Sequence, residues 1–290
     1  MALLSPMSRE ETPDITALEP PGTNFAPQPT AWEIEFFRDN GYLVVERLTT
    51  DAELAWIRER FEQVFDPADA AQLGAPVDRS GAQEPGAASS LAQAFFPEIR
   101  FSGLLRTAYM RNARRYAAAL LGVDPSLVSS WGHMILKPAG GRAAPWHQDR
   151  AYWEPELDYR AVAVWLPMHE VSVEMGAMQF IPGSHRRGLL PHRHLEAPRH
   201  NMLEVASPFN LSSAVACPLP AGGATFHDMH TLHFTAPNIT TAPRLAYPVE
   251  FQLTPVRRAT PESMPWVDEL RAARAALATA EIGDGRVTKL

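Results

Sequence analysis

The sequence predicts an α+β fold, mainly β: a double-stranded β-helix (jelly roll) core buttressed by N-terminal helices. Three observations carry that expectation. Helical periodicities gather before Gly122, whereas from residue 127 onward short β-prone runs alternate with Gly/Pro turns, the grouping expected of helices packed against an antiparallel core. Those runs recur at short spacing in a chain of 290 residues, which suits a jelly roll. The composition, 46% hydrophobic and 20% charged, is globular, and the single cysteine, Cys217, means that the core is held without an internal disulfide.

Taken in order, residues 1–29 are rich in Pro, Thr and Glu and lack periodicity, so they read as a flexible leader, with residues 30–290 as a single domain. "TAWEIEFFRDNG" places Trp32, Phe36 and Phe37 at helical spacing and ends on Gly41, suited to stop a helix. "YLVVERL" is a short strand. Thr50 and Glu53 make a capping-box pattern ahead of "ELAWIRERFEQVF", where Leu54, Ile57, Phe61 and Val64 line one face. Residues 66–90 are small, polar and Gly/Pro-rich, a long loop of the kind that forms a lid or stays disordered. "RTAYMRNARRYAAALLG" is a further helix. The strand runs that follow are "LVSSWGHMILKP", "RAVAVWLPMHEV", "GAMQFIPGS", "GGATFHDMHTLHFTA" and "RLAYPVEFQL", and "PWVDELRAARAALATAEI" closes the chain as a helix.

The formal charge of −7 argues against nucleic acid, because there is no basic surplus to meet phosphates. No apolar run reaches the roughly 18 residues of a membrane span, and the start of the chain lacks the basic and apolar regions of a signal peptide. A single thiol suits a reducing compartment. The expectation is a cytoplasmic protein with a small-molecule substrate and neither nucleic acid nor membrane as partner; oligomeric state has no signature in the sequence.

"PWHQDRAYW" (145–153) carries the first chemical signal. On a strand, positions i and i+2 project together, so His147 and Asp149 can offer a nitrogen and a carboxylate oxygen to one ion. Such a pair alone is common. A second cluster, "FHDMHTLHFTAPN", supplies His227, His230 and His233; read as one strand from Phe226 to Thr235, it puts His227 and His233 on one face. One of these with the His-x-Asp pair completes a set of two histidines and a carboxylate, which favours Fe(II) in an oxygenase, although zinc hydrolases use the same donors. Arg244 lies 11 residues after His233 on a strand long enough to pair with the His233 strand, and Thr235 shares the face of His233. An arginine fork beside a hydroxyl is what gripping a dicarboxylate such as 2-oxoglutarate requires.

Together "KPAGGRAAPWHQDRAYW", "VWLPMHEVSVEMGAMQFIPGSH" and "GATFHDMHTLHFTAPNITTAPRLAY" resemble the phytanoyl-CoA dioxygenase family of Fe(II)/2-oxoglutarate oxygenases, over residues 40–253. The resemblance implies iron held by His147, Asp149 and His233, with His227 as the histidine upstream of the ligand. It implies 2-oxoglutarate bound by Arg244 and Thr235, with Trp165 as a wall and His133 as a weaker transferred contact. Related halogenases replace the carboxylate by Gly or Ala, so Asp149 points to oxygen chemistry with Fe(II), 2-oxoglutarate and O2. Gln148, Arg150, Tyr152 and Trp153 follow the ligands closely and are candidate substrate contacts. Arg186, Arg187, Arg193 and Arg199 crowd the segment "SHRRGLLPHRHLEAPRH", which suits an anionic substrate or a solvated loop. The competing readings are a zinc hydrolase or isomerase on a similar barrel, and a non-catalytic binding module.

Overall fold

In the computed structural model, which describes residues 18–66, 77–78, 91–195 and 202–283, two antiparallel sheets enclose a cavity, and helices cover the outer face of the larger sheet. The chain begins with α1 (Ala31–Asn40), β1 (Tyr42–Val45) and α2 (Asp51–Phe65). β2 (Val77–Asp78), β3 (Ala92–Phe95), the single turn α3 (Pro97–Arg100) and α4 (Ala108–Leu121) follow. Next come β4 (Ser129–Lys137), β5 (Ala144–His147), β6 (Leu157–Asp158), β7 (Ala161–Pro167), β8 (Met178–Phe180), β9 (His192–His194) and β10 (Leu203–Val205). β11 (Val215–Cys217), β12 (Ala224–Asp228), β13 (His233–Thr235), β14 (Arg244–Gln252), β15 (Val256–Arg257) and α5 (Pro265–Gly283) complete it. The large sheet runs β1-β12-β7-β14-β4-β3-β2 and the small one β11-β8-β13-β5. No helix among the described residues is long and apolar enough to cross a membrane.

Successive side chains on a strand face opposite ways, and the large sheet uses both faces. Val162, Val164 and Leu166 of β7, Tyr247, Val249 and Phe251 of β14 and Phe226 of β12 point outward. There they pack against Leu54, Ile57 and Phe61 of α2 and Tyr109, Ala113 and Tyr116 of α4. The alternate residues, among them Ala163, Trp165, Arg244, Pro248, Glu250, His133 and Trp131, line the cavity. Pro248 lies mid-strand, where a missing N–H normally breaks a ladder. The sheet accommodates it because β14 pairs with β4 from Arg244 to Ala246 and again from Val249 to Gln252, with no pairing at Tyr247 and Pro248.

Three expectations change. The run Phe226–Thr235 is not one strand: β12 belongs to the large sheet and β13 to the small one, and a turn between them carries the chain across. β14 pairs with β4 and β7 rather than with the His233 strand. The stretch 18–29, assigned to the leader, runs without regular structure but is tied to α4: Asn112 donates to the Phe25 carbonyl, Arg115 to that of Pro27 and the Tyr116 hydroxyl to that of Gln28. The rest of the leader, residues 1–17, lies outside the described residues, as does the long loop after Asp66 except for Val77–Asp78, which pair with β3.

Helix ends explain how the helices are positioned. Thr30 and Glu33 form a full capping box at α1. At α2 only half of the predicted box exists: Thr50 accepts from the Glu53 amide, but the Glu53 carboxylate turns away. Fully buried, it accepts from the amides of Ala108 and Tyr109 (2.8 Å for the latter) and from the Thr49 hydroxyl, so a residue of α2 caps α4. Glu53→Ala leaves those buried amides unsatisfied and should lower stability by about 3 kcal/mol. Thr30→Ala, an exposed cap, should cost about 1 kcal/mol. Urea denaturation reads both, and equal losses would show that Glu53 acts only as a local cap.

Candidate metal centre

β5 ends at His147 and β13 begins at His233; the two are register partners in the small sheet, with ring centroids 4.1 Å apart. In each, Nδ1 faces a carbonyl two residues upstream, Pro145 for His147 (2.6 Å) and Thr231 for His233 (2.9 Å). A carbonyl only accepts, so Nδ1 carries the proton and Nε2 is presented as the donor atom for a metal. Asp149 does not arrive by strand alternation, because the strand has ended: it opens a 3-10 turn (Asp149–Tyr152) that swings its carboxylate back. One donor atom from each of His147, Asp149 and His233 lies within 4.8 Å of the others. Two nitrogens and one oxygen at that spacing fit a divalent transition metal with open positions.

His227 is not in that group. Its Nε2 donates to Asp149 Oδ2 at 2.9 Å, leaving Oδ1 toward His233 (3.4 Å) and His147 (3.9 Å). Burial works against the Asp149 charge, yet the charge on His233 and hydrogen bonds from His227 and His233 hold its pKa well below the carboxylate range. Burial, reinforced by the charge of His233, pushes His147 down to about 3. Burial likewise lowers His227. For His233 burial is outweighed by Asp149, and its pKa rises.

The turn between β12 and β13 that delivers His233 is fastened to the end of α1. The Gly41 carbonyl accepts from the Asp228 amide (2.9 Å) and the Thr231 hydroxyl (2.7 Å). Gly41 has φ +78°, and a Cβ there would lie 2.5 Å from Thr231 Oγ1, so no other residue fits.

Further along the cavity, Arg244 is 1% exposed and its Nη1 donates to the Gly176 carbonyl at 3.1 Å, while its Nε–H has no acceptor. Burial lowers its pKa to about 10, and no carboxylate among the described residues pairs with it. Its guanidinium lies 5.3 Å from the centroid of the Trp165 ring. Its register partner is Lys137, whose Nζ donates to Thr235 Oγ1 (2.8 Å) and the Ala236 carbonyl (2.7 Å). Burial, with the nearby Arg244 charge, pulls Lys137 down to about 6. With an Oγ1 lone pair taken by Lys137, the Thr235 hydroxyl keeps its own hydrogen available to donate. Arg244, Thr235 and Trp165 therefore meet at one end of a cavity of about 300 Å3 that also contains the three metal-binding candidates. His133 is in the same wall but four residues along β4 from Lys137, roughly 13 Å of strand, stacked between Phe95 and Trp131 (5.4 and 5.8 Å).

The proposed substrate contacts separate. Tyr152 and Trp153 line the cavity. Gln148 and Arg150 do not: both are buried and spent on the protein. The Gln148 amide donates to the Gly188 and His230 carbonyls and accepts from the Leu190 amide. Arg150 pairs with Glu262 at 2.8 Å and donates to the Leu157 carbonyl. The strand ends before them, so alternation no longer sets their direction. The described arginines of the basic segment are engaged outside the cavity: Arg186 pairs with Asp39 and Arg193 with Glu204, and Arg187 donates to the Pro208 carbonyl; Arg199 lies outside the described residues. Two residues went unassigned in the sequence: Glu250, which lines the cavity, and Lys137, which supports Thr235 from behind it. Period two would have found both, because Glu250 shares the face of Arg244 and Lys137 that of His133.

The chain matches the model of the phytanoyl-CoA dioxygenase family over residues 37–246. A crystal structure of EvdO2 from Micromonospora carbonacea var. aurantiaca, complexed with 2-oxoglutarate, superposes with a TM-score of 0.73 at 32% identity, covering 84% of this chain and 99% of that one. An ectoine dioxygenase of Stutzerimonas stutzeri is 27% identical over 230 residues, 73% of this chain and 72% of the relative. The human peroxisomal phytanoyl-CoA dioxygenase is 25% identical over 165 residues, 54% of this chain and 48% of the relative.

A metal must displace the proton that Asp149 stabilises on His233, whereas His147 is already neutral. Affinity for a divalent ion such as Co(II) should therefore fall as pH drops through the raised pKa of His233, starting above the ordinary imidazole value of about 6.5. Titrations between pH 8 and pH 6 test this. Affinity constant down to pH 5 would mean that His233 loses no proton on binding.

Proposed function

This chain belongs to the phytanoyl-CoA dioxygenase family, and from that premise we propose how its residues work: it is an Fe(II)- and 2-oxoglutarate-dependent dioxygenase, and its reaction is hydroxylation of a C–H bond in a small organic substrate. The observation that carries this reading is the buried Arg244 guanidinium, which no carboxylate among the described residues pairs, in the same cavity as Thr235 and the three candidate ligands. A charge of that kind without a partner is costly, and a ligand carboxylate satisfies it. A zinc hydrolase on the same donors has no use for it.

In this reading His147, Asp149 and His233 hold Fe(II). The bound metal, with 2-oxoglutarate and O2, supplies the oxidising chemistry, in which the cosubstrate is converted to succinate and CO2. The chain supplies placement. Arg244 and Thr235 take the distal carboxylate of 2-oxoglutarate, Lys137 holds Thr235 in position, and Trp165 covers the guanidinium against water. His227 keeps the Asp149 carboxylate turned so that one oxygen faces the metal position. Tyr152, in edge contact with the His147 ring at 5.6 Å, and Trp153 border the substrate side. The single buried thiol, Cys217, fits the cytoplasmic setting that we infer.

Adding Fe(II) and then 2-oxoglutarate to the protein without oxygen should produce the visible charge-transfer band of a metal-chelated keto acid. Metal binding without the band would overturn the cosubstrate assignment. Arg244→Ala should weaken 2-oxoglutarate binding by about 3 kcal/mol, over a hundredfold, while leaving metal affinity within a few-fold. His233→Ala should abolish metal-dependent succinate release, and normal release would remove His233 from the ligand set.

A further inference from the structure

The large sheet places one acid where nothing in the fold needs it. Glu250 sits on a central strand, 5% exposed, facing the cavity, and its Oε2 is buried without a hydrogen-bond partner. In register across the sheet, His227 pairs with Ala163, Ala163 with Glu250, and Glu250 with Trp131. Glu250 is thus two strands, roughly 10 Å of backbone, from the histidine that orients Asp149. Ala163 between them is too small to fill the gap. Along β14, Glu250 is six residues from Arg244, roughly 20 Å, so it stands well away from the cosubstrate anchor.

The walls at this end are aromatic. Trp131, His133 and Phe95 form a stacked ladder beside Glu250, and Trp153 and Tyr152 border the cavity after the Asp149 turn. Among the described residues lining the cavity, Arg244 is the one guanidinium or ammonium, and it lies at the other end. The aromatic faces suit a ring, and the unpartnered oxygen suits a donor. At this end no arginine or lysine among the described lining residues is placed to pair with an anionic group.

We propose that Glu250 determines substrate specificity by accepting a hydrogen bond from a hydroxyl or ammonium group on an uncharged or cationic ring compound, and that anionic substrates are disfavoured. The inference rests on the dioxygenase reading, since it takes the metal position as the reacting end. It also departs from the expectation of an anionic substrate, since Arg186, Arg187 and Arg193 are not among the residues lining the cavity.

The test uses three probes on one flat ring: benzyl alcohol, benzylamine and benzoate. Binding is measured by calorimetry without oxygen, on protein loaded with Fe(II) and 2-oxoglutarate, after the charge-transfer band has been recorded. Benzyl alcohol or benzylamine should bind about tenfold or more tightly than benzoate, and Glu250→Leu should erase that preference. Glu250→Gln, which keeps the shape and an acceptor oxygen, should retain the alcohol. Preference for benzylamine assigns the cationic form of the substrate and equal or better binding of benzyl alcohol the uncharged form. Tightest binding by benzoate, a preference unchanged in Glu250→Leu, or no binding by any probe would overturn the proposal. If the band is present while the probe pattern fails, the Glu250 inference alone is wrong; if the band is absent in the wild-type protein, the dioxygenase reading fails first.

Discussion

The site depends on the two-faced packing of β7 and β14. Their outward residues are large and apolar, and burying them against α2 and α4 anchors both strands at the centre of the sheet. The inward row packs only Trp165 and Ala246 into a smaller apolar cluster and can hold Arg244, Pro248 and Glu250, residues that a central strand would otherwise reject. Glu53 extends the same logic one layer out, because it locks the N-terminus of α4 to α2 and so keeps the supporting surface in one piece.

Within the cavity, order comes from hydrogen bonds made by groups that never touch a ligand. Backbone carbonyls set the tautomer of His147 and His233, His227 sets the tilt of Asp149, and Lys137 sets Thr235. Each contact removes a rotamer that metal or cosubstrate binding would otherwise have to freeze. The cost lies in charge. Arg244 and Lys137 sit side by side in a buried region, and burial depresses the pKa of both.

The segment after β14 contributes more than its position suggests. Glu262 holds Arg150, the Trp266 indole donates to the Ala151 carbonyl at 2.8 Å, and His194 faces the Trp266 carbonyl. Met264 and Trp266 pack on Ala151 and Leu203. The turn bearing Asp149 is therefore clamped from outside by residues more than a hundred positions later. This explains why Arg150, next to a metal-binding candidate, is an anchor rather than a substrate contact.

Local patterns in the sequence determined the strand-rich core, most helix positions and the spacing of His147, Asp149, His233, Thr235 and Arg244, because periodicity and short-range spacing survive in one dimension. Tertiary structure alone decided how these groups converge. His227 and His233 meet although they lie on strands of different sheets. Asp149 turns inward because its strand stops at His147. Arg244 faces Thr235 from the opposite sheet rather than from a neighbouring strand. The directions of Gln148 and Arg150 likewise depend on where a strand ends, and their partners, from 40 to more than 110 residues away, leave no periodic trace in the chain.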